Sequence, residues 1–199
     1  MRLKISPDCM KIGLFGGSFD PVHLGHLLAA RAAREEAGLA RLFFIPAAQS
    51  PLKPDVQPAP AEERLRWLRL ALAGDTTAEV DDREIRRGGP SYTIETARAY
   101  ARTYPGAELF YLIGADQTAQ LRLWRQAGEL ARLVQFLVMP RPGECLGELG
   151  APFCGRVLRG VPLGVSSSDI RARLKAGLPV AHLTPPAVAE ALANNRLYL

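Results

Sequence analysis

The stretch KIGLFGGSFDPVHLGHLLAA, residues 11–30, sets two glycines, an Asp-Pro step and two histidines between two apolar runs. Residues 11–15 predict a short buried strand, and the Ala/Leu-rich stretch 24–38 predicts a helix. Gly16 and Gly17 fall between them, where backbone N–H groups can approach an anion beside the positive end of the helix. A strand, a glycine turn and a helix in this order can bind a phosphate, although a tight strand-to-helix connection explains the two glycines on their own.

The two histidines of this stretch, His23 and His26, share one face of the predicted helix close to its N-terminus. An imidazole beside phosphates favours its charged form, which makes the place more attractive to an anion. The stretch has neither the G-x-x-x-x-G-K-[ST] of a P-loop nor the G-x-G-x-x-G of a dinucleotide fingerprint. No nearby Cys, Asp or Glu has the spacing of further zinc ligands, so no protein metal site is predicted. Asp20 is expected to fix the turn through hydrogen bonds from backbone N–H groups.

Apolar runs and amphipathic runs alternate along the rest of the chain. Further strands are predicted over 41–46, 77–87, 108–116, 133–140 and 155–164, and further helices over 61–74, 91–104, 166–178 and 185–199. A proline-rich loop after residue 46 is long enough for a lid or a binding role. This alternation predicts an α/β, Rossmann-like, doubly wound fold with helices on both faces of a mainly parallel sheet. Ligands of such sheets bind beyond the carboxyl ends of strands, which favours Gly16, Gly17 and the region of Asp116.

The length of 199 residues predicts a single domain over 1–199, with an N-terminal extension over 1–10 and a small C-terminal helical segment over 166–199. The three cysteines, Cys9, Cys145 and Cys154, have unrelated spacings and predict neither a disulfide framework nor a zinc cage. We therefore expect a cytoplasmic protein. No apolar run reaches the ~18 residues of a membrane span, and the opening residues MRLKISPDCM have no long apolar segment, so we do not expect secretion.

The formal net charge of +5 favours anionic partners. The arginines are scattered, and aromatic residues, 7% of the chain, do not interleave with them as in platforms for single-stranded nucleic acid. We therefore expect small phosphorylated ligands and no nucleic-acid partner. A homo-oligomer is compatible with the sequence, which does not decide the oligomeric state.

Two motifs of the chain resemble those of the nucleotidylyltransferase superfamily. GGSFDPVHLGH resembles G-x-F-D-P-x-H-x-G-H, and VSSSDIRARL, residues 165–174, resembles I-S-S-T-x-I-R with Val165 for Ile and Ser168 for Thr. In that superfamily the serine run caps a helix over the ATP phosphates and the arginine contacts them, as a guanidinium fork suits phosphate oxygens. The resemblance implies that ATP contacts Gly16, Gly17, Phe19, His23, His26, Ser167, Ser168 and Arg171. It also implies that His23, His26 and Arg171 are catalytic.

Three further stretches resemble the bacterial nicotinate-nucleotide adenylyltransferases: GGPSYTIET, LIGADQTAQLRLW and VMPRPG, which begin at residues 88, 112 and 138. The resemblance implies that Thr93 lies near the nicotinate carboxylate and that Trp124 stacks on the pyridine ring. Asp116 would meet a ribose hydroxyl of ATP, and Arg141 would contact the mononucleotide phosphate. Gly17 and Ser18 would complete the mononucleotide side. Without the resemblance, core packing explains Trp124 and a helix N-cap explains Asp116 equally well.

The reaction implied is the transfer of an adenylyl group from ATP to nicotinate mononucleotide, giving nicotinate adenine dinucleotide and pyrophosphate, a step of NAD biosynthesis. Direct in-line attack without a covalent intermediate is expected, with Mg²⁺ held mainly by ATP phosphates. In the loop SPLKP, Leu52 stands where the family often has His, so Lys53 is only a weak candidate for a phosphate contact.

Other functions remain open at this point. A pantetheine-phosphate adenylyltransferase shares both motifs but usually has Thr in place of the first His, and a cytidylyltransferase differs around the second motif. A nucleic-acid-binding module would also be basic. An NAD-dependent oxidoreductase conflicts with the missing dinucleotide fingerprint.

Overall fold

The computed structural model describes residues 9–52, 57–140, 149–161, 163–195 and 197–198. The strands found there are β1 Lys11–Gly17, β2 Arg41–Pro46, β3 Ala78–Val80, β4 Glu108–Gly114, β5 Gln135–Met139 and β6 Gly155–Val157. The α-helices are α1 Leu24–Ala37, α2 Ala61–Ala71, α3 Arg83–Arg87, α4 Thr93–Thr103, α5 Ala127–Leu133, α6 Ser167–Lys175 and α7 Pro186–Asn194. A 3-10 helix, Ala115–Leu123, follows β4. None of the helices in this part of the chain has the length and apolar run needed to cross a membrane.

The strands form one sheet in the order β3-β2-β1-β4-β5-β6, and every pairing is parallel. The chain proceeds outward from β1 to β3 and then returns to place β4 on the other side of β1. The strand order therefore reverses between β1 and β4, and the crevice at their carboxyl ends is where such sheets bind ligands. The predicted α/β, doubly wound fold is confirmed, with the glycines of β1 at the reversal point.

Successive strand residues face opposite sides of the sheet, and both sides are covered. In β2, Leu42 and Phe44 belong to a core formed with α1, α2, α6 and α7, whereas Phe43 and Ile45 belong to a core formed with α4, α5 and the 3-10 helix. Burial on both faces explains why the strand sequences read as continuous apolar runs. The prediction of helices on both faces of the sheet is confirmed.

Two predicted strands are mostly wrong. Of residues 77–87 only Ala78–Val80 is a strand, because the Asp81 carboxylate accepts the Arg83 backbone N–H at 3.0 Å and the chain continues as α3. Among the described residues of 155–164, only Gly155–Val157 form a strand. There the Glu36 carboxylate at the end of α1 accepts the backbone N–H groups of Arg159 and Gly160, at 3.1 and 2.9 Å, and draws them away from the sheet.

Candidate active site

Two cavities open at the carboxyl ends of β1 and β4. The smaller, of about 330 Å³, contains both histidines of the opening stretch and is called the histidine cavity. The larger, of about 680 Å³, contains Trp124 and is called the tryptophan cavity. They meet at a shared rim made of Gly16, Gly17, Ser18, Ala47, Ser50, Asp116 and Gln117. A group bound in one cavity can therefore reach a group bound in the other across the end of β1.

Two helix N-termini line the histidine cavity. His23 is the N-cap of α1 and His26 its third residue. Ser166 is the N-cap of α6, where its hydroxyl accepts the Asp169 backbone N–H at 3.1 Å, as the serine run predicted. Because the positive ends of both helix dipoles converge here, the cavity suits a polyanion.

The two imidazoles stack on each other, with ring centroids 3.7 Å apart and planes 27° apart. The His23 backbone N–H donates to Nδ1 of His26 at 3.2 Å, which orients the His26 ring. Phe19 supports that ring edge-on at 5.0 Å between centroids, and its own side chain is buried in the core. Its backbone has a left-handed φ of 48°, and the residue lines the cavity.

Arg171 joins the second motif to the first. Its Nη1 donates to the Asp20 carbonyl at 2.7 Å and its Nη2 to the Ser168 hydroxyl at 3.2 Å. Ser167 donates its hydroxyl to the Pro21 carbonyl at 2.9 Å. The guanidinium therefore lines the histidine cavity in a fixed position, beside the N-terminus of α6.

A buried cation holds the loop that carries the first motif. Arg64, 1% exposed, donates to the carbonyls of Ser18 at 2.9 Å, Ala47 at 2.7 Å and Ala59 at 2.9 Å. Burial lowers the pKa of Arg64, and the nearby Asp20 carboxylate opposes that shift. Arg64 was not among the residues predicted from the sequence. The available signal was its place one turn before Trp67, on the apolar face of α2.

Asp20 is 6% exposed, and its Oδ1 accepts the Ala59 backbone N–H at 3.1 Å as well as the hydroxyl of Tyr198. The expected backbone hydrogen bond is thus present, but its donor lies in the loop before α2 rather than in the turn itself. The contact with Tyr198 was not predicted.

The tryptophan cavity is lined by the N-terminus of α4 and by aromatic rings. Thr93, the first residue of α4, donates its hydroxyl to the Tyr111 hydroxyl at 3.3 Å. Trp124 is half-buried, with its ring edge-on to Tyr111 at 5.9 Å between centroids. Its indole N–H has no hydrogen-bond partner within the described part of the chain. Trp124 thus combines core packing on one side with a surface toward the cavity on the other.

An acid lies in the wall of the tryptophan cavity. Glu84 is 4% exposed, and the buried Thr96 hydroxyl donates to its carboxyl group. Burial raises the pKa of Glu84, against the effect of its hydrogen bonds with Thr96 and Ser91. The Ser91 hydroxyl also accepts the Ala48 backbone N–H at 2.9 Å. Glu84 was missed because it falls in a segment that was predicted as a strand.

The structure brings the predicted residues together in two groups. The residues predicted to bind ATP all line the histidine cavity: Gly16, Gly17, Phe19, His23, His26, Asp116, Ser167, Ser168 and Arg171. Those predicted to bind the mononucleotide line the tryptophan cavity, namely Gly17, Ser18, Thr93 and Trp124. Arg141 and Lys53 lie outside the described residues, as do Cys145 and residues 1–8. Leu52, which is 50% exposed, lines the tryptophan cavity.

Comparison with known proteins shows the family of the chain. The cytidylyltransferase-like family model matches residues 14–173. A probable nicotinate-nucleotide adenylyltransferase of Opitutus terrae is 46% identical over 193 residues, which cover 95% of this chain and 98% of the relative. A probable nicotinate-nucleotide adenylyltransferase of Thermus thermophilus is 42% identical over 189 residues, which cover 95% of this chain and 100% of the relative. The chain therefore belongs to the cytidylyltransferase-like family, among its nicotinate-nucleotide adenylyltransferases.

A solved structure confirms the fold. The nicotinic acid mononucleotide adenylyltransferase of Plasmodium falciparum, complexed with NaAD, matches with a TM-score of 0.80 over 95% of this chain and 97% of that chain. A structure of the same protein complexed with APC gives a TM-score of 0.78. Because the sequence identities are only 14% and 13%, these two structures are evidence for the fold alone.

Proposed function

We propose that this chain transfers the adenylyl group of ATP to nicotinate mononucleotide and releases nicotinate adenine dinucleotide and pyrophosphate. The observation that carries the proposal is the pair of cavities that meet at the rim around Gly16–Ser18. Two substrates bound side by side need such a rim, since the reacting phosphates must approach each other there. The names of the curated relatives support the same reaction.

ATP is assigned to the histidine cavity. Its phosphates suit the N-termini of α1 and α6 and the guanidinium of Arg171, which together supply backbone donors and positive charge. The apolar side of the same cavity, formed by Leu112, Met139 and Val165, suits the adenine ring. Asp116, which lies on the shared rim, would contact a ribose hydroxyl of ATP.

Nicotinate mononucleotide is assigned to the tryptophan cavity. The Trp124 ring offers an aromatic surface for the pyridine ring. The N-terminus of α4 at Thr93 offers backbone N–H groups and a positive dipole end to a carboxylate, which favours nicotinate over nicotinamide. Arg141 as the phosphate contact, and the weaker Lys53, stay predictions.

The attacking group is the phosphate of the mononucleotide, which is already anionic and needs no general base. Its oxygen forms a bond to the α-phosphorus of ATP while the bond from the α-phosphorus to the bridging oxygen of pyrophosphate breaks. His23 and His26 would stabilise the charge on the α-phosphoryl group, and Arg171 would hold the departing pyrophosphate. Catalysis then rests on position and charge, not on a covalent intermediate.

Mg²⁺ belongs to this proposal as part of the substrate Mg·ATP. The described residues contain no group of three His, Cys, Asp or Glu side chains that could hold a metal ion. The ligands proposed for Mg²⁺ are therefore mainly phosphate oxygens and water, where the ion neutralises phosphate charge.

Pyrophosphate release by the purified protein with Mg·ATP tests the proposal. Nicotinate mononucleotide, nicotinamide mononucleotide and 4′-phosphopantetheine would be offered separately, with the product identified by mass. We expect rapid turnover with nicotinate mononucleotide and much slower turnover with the amide. Turnover with phosphopantetheine instead would contradict the assignment of the tryptophan cavity.

The direct attack has its own test. ATP made chiral at the α-phosphorus by sulfur substitution should give a dinucleotide with inverted configuration at that centre. Retention would indicate two successive displacements and a covalent enzyme intermediate, which the proposal excludes.

A further inference from the structure

The C-terminal end of the chain reaches the loop that carries the first motif. The Tyr198 hydroxyl donates a hydrogen bond to Oδ1 of Asp20, 178 positions earlier in the sequence. The Tyr198 ring packs beside Trp67 of α2, with centroids 5.9 Å apart. Burial raises the pKa of Tyr198, so the hydroxyl keeps its proton and remains a donor at neutral pH.

Asp20 in turn faces the cation of the histidine cavity. Its carbonyl accepts Nη1 of Arg171 at 2.7 Å, and its Oδ2 lies 3.8 Å from the same nitrogen. Its Oδ1 is occupied by two donors, the Ala59 backbone N–H and the Tyr198 hydroxyl. Arg64 of α2, the buried cation that holds this loop, already donates hydrogen bonds to three backbone carbonyls. The Tyr198 hydroxyl therefore helps to set how far the Asp20 carboxylate turns toward Arg171.

We propose that Tyr198 is a positioning residue for adenylyl transfer, which acts through Asp20 to keep Arg171 available to the phosphates of the nucleotide. Without the Tyr198 hydroxyl, the Asp20 carboxylate lacks one of its two Oδ1 donors. Arg171, with Nη1 3.8 Å from Oδ2 of Asp20, is the charged donor among the described residues that can replace it. A guanidinium drawn closer to Asp20 has less of its fork left for phosphate oxygens. The inference rests on the proposed function, because it assigns the phosphates to the histidine cavity.

Tyr198→Phe tests the inference, since it removes one hydroxyl and keeps the ring against Trp67. Binding of ATP and of AMP would be measured by calorimetry. Arg171 is assigned to the pyrophosphate end, so the variant should lose about fivefold in affinity for ATP and keep its affinity for AMP within about twofold. The matched control is Tyr104→Phe, which removes a hydroxyl that accepts from Arg41 at 2.9 Å and lies outside both cavities. It should change neither affinity.

A second variant separates positioning from general loosening. Arg171→Lys removes the guanidinium group through which Tyr198 is proposed to act. Adding Tyr198→Phe to that variant should therefore reduce ATP affinity little further. The inference would be overturned if Tyr198→Phe lowered the affinities for ATP and AMP equally. It would also be overturned if Tyr198→Phe lowered ATP affinity as much in the Arg171→Lys background as in the wild-type protein. These binding measurements need no acceptor, so they can fail or succeed independently of the turnover assay that tests the proposed function.

Discussion

At the scale of single residues, Gly16 has two reasons to be glycine. The sequence indicated one, the close approach of a backbone N–H to phosphate. The structure adds the other, because a Cβ on Gly16 would lie 2.1 Å from the Tyr111 hydroxyl oxygen. That second reason could not be predicted, since it depends on how β4 lies beside β1. The positions of His23 and His26 at the start of α1 were easier to predict, because the helix that follows fixes them locally.

Gly16→Ala should destabilise the protein by about 1–3 kcal/mol, since the added methyl group overpacks against Tyr111. Adding Tyr111→Phe removes the clashing oxygen and should recover most of that free energy. Urea unfolding of the single and double variants measures both effects. If Tyr111→Phe restores nothing, the clash is not the cause.

His26→Ala should lower kcat by about 100-fold at saturating Mg·ATP, because a charge-stabilising group aimed at the reacting phosphoryl would be lost. His182→Asn is the matched control. That histidine is exposed and has a φ of 70°, a backbone conformation that Asn accepts. A His26→Ala enzyme with unchanged kcat would remove His26 from the transition state.

At the scale of elements, strands buried on both faces and helices with clear caps were predictable, whereas short elements were not. The serine run predicted the start of α6 correctly because a capping hydroxyl is a local interaction. The helix α3 was not predicted. Asp81 ends the preceding strand by accepting the Arg83 backbone N–H, and no pattern in the sequence indicates that hydrogen bond. For the same reason Glu84, which lies in α3 and lines the tryptophan cavity, was not predicted as a site residue.

Glu84→Gln should change how stability depends on pH. Burial raises the folded-state pKa of Glu84 above its unfolded value, although the nearby Arg87 acts in the opposite direction. The stability linked to this proton is therefore fully present below the unfolded pKa and is lost as pH rises through the folded pKa. Gln cannot titrate, so urea midpoints should show wild type losing more stability than the variant as pH rises above the unfolded pKa of Glu84. Parallel losses would show that Glu84 keeps an ordinary pKa.

At the scale of the whole molecule, the parallel sheet brings together what the sequence separates. The motifs around His23 and Arg171 predict a shared phosphate site, and the reversal of strand order explains why they line one cavity. Arg64 and Tyr198 could not be assigned beforehand, because their partners come from distant parts of the chain. The single domain over 1–199, the oligomeric state and the absence of a nucleic-acid partner stay predictions.

The central claim is that two substrates occupy two cavities that meet at the shared rim. It is tested most directly by the KM values of Trp124→Ala for both substrates. Loss of the stacking surface should raise KM for nicotinate mononucleotide by about tenfold and leave KM for ATP within about twofold, with Trp124→Phe close to wild type. An equal rise of both KM values, or a rise confined to ATP, would contradict the division of the cleft.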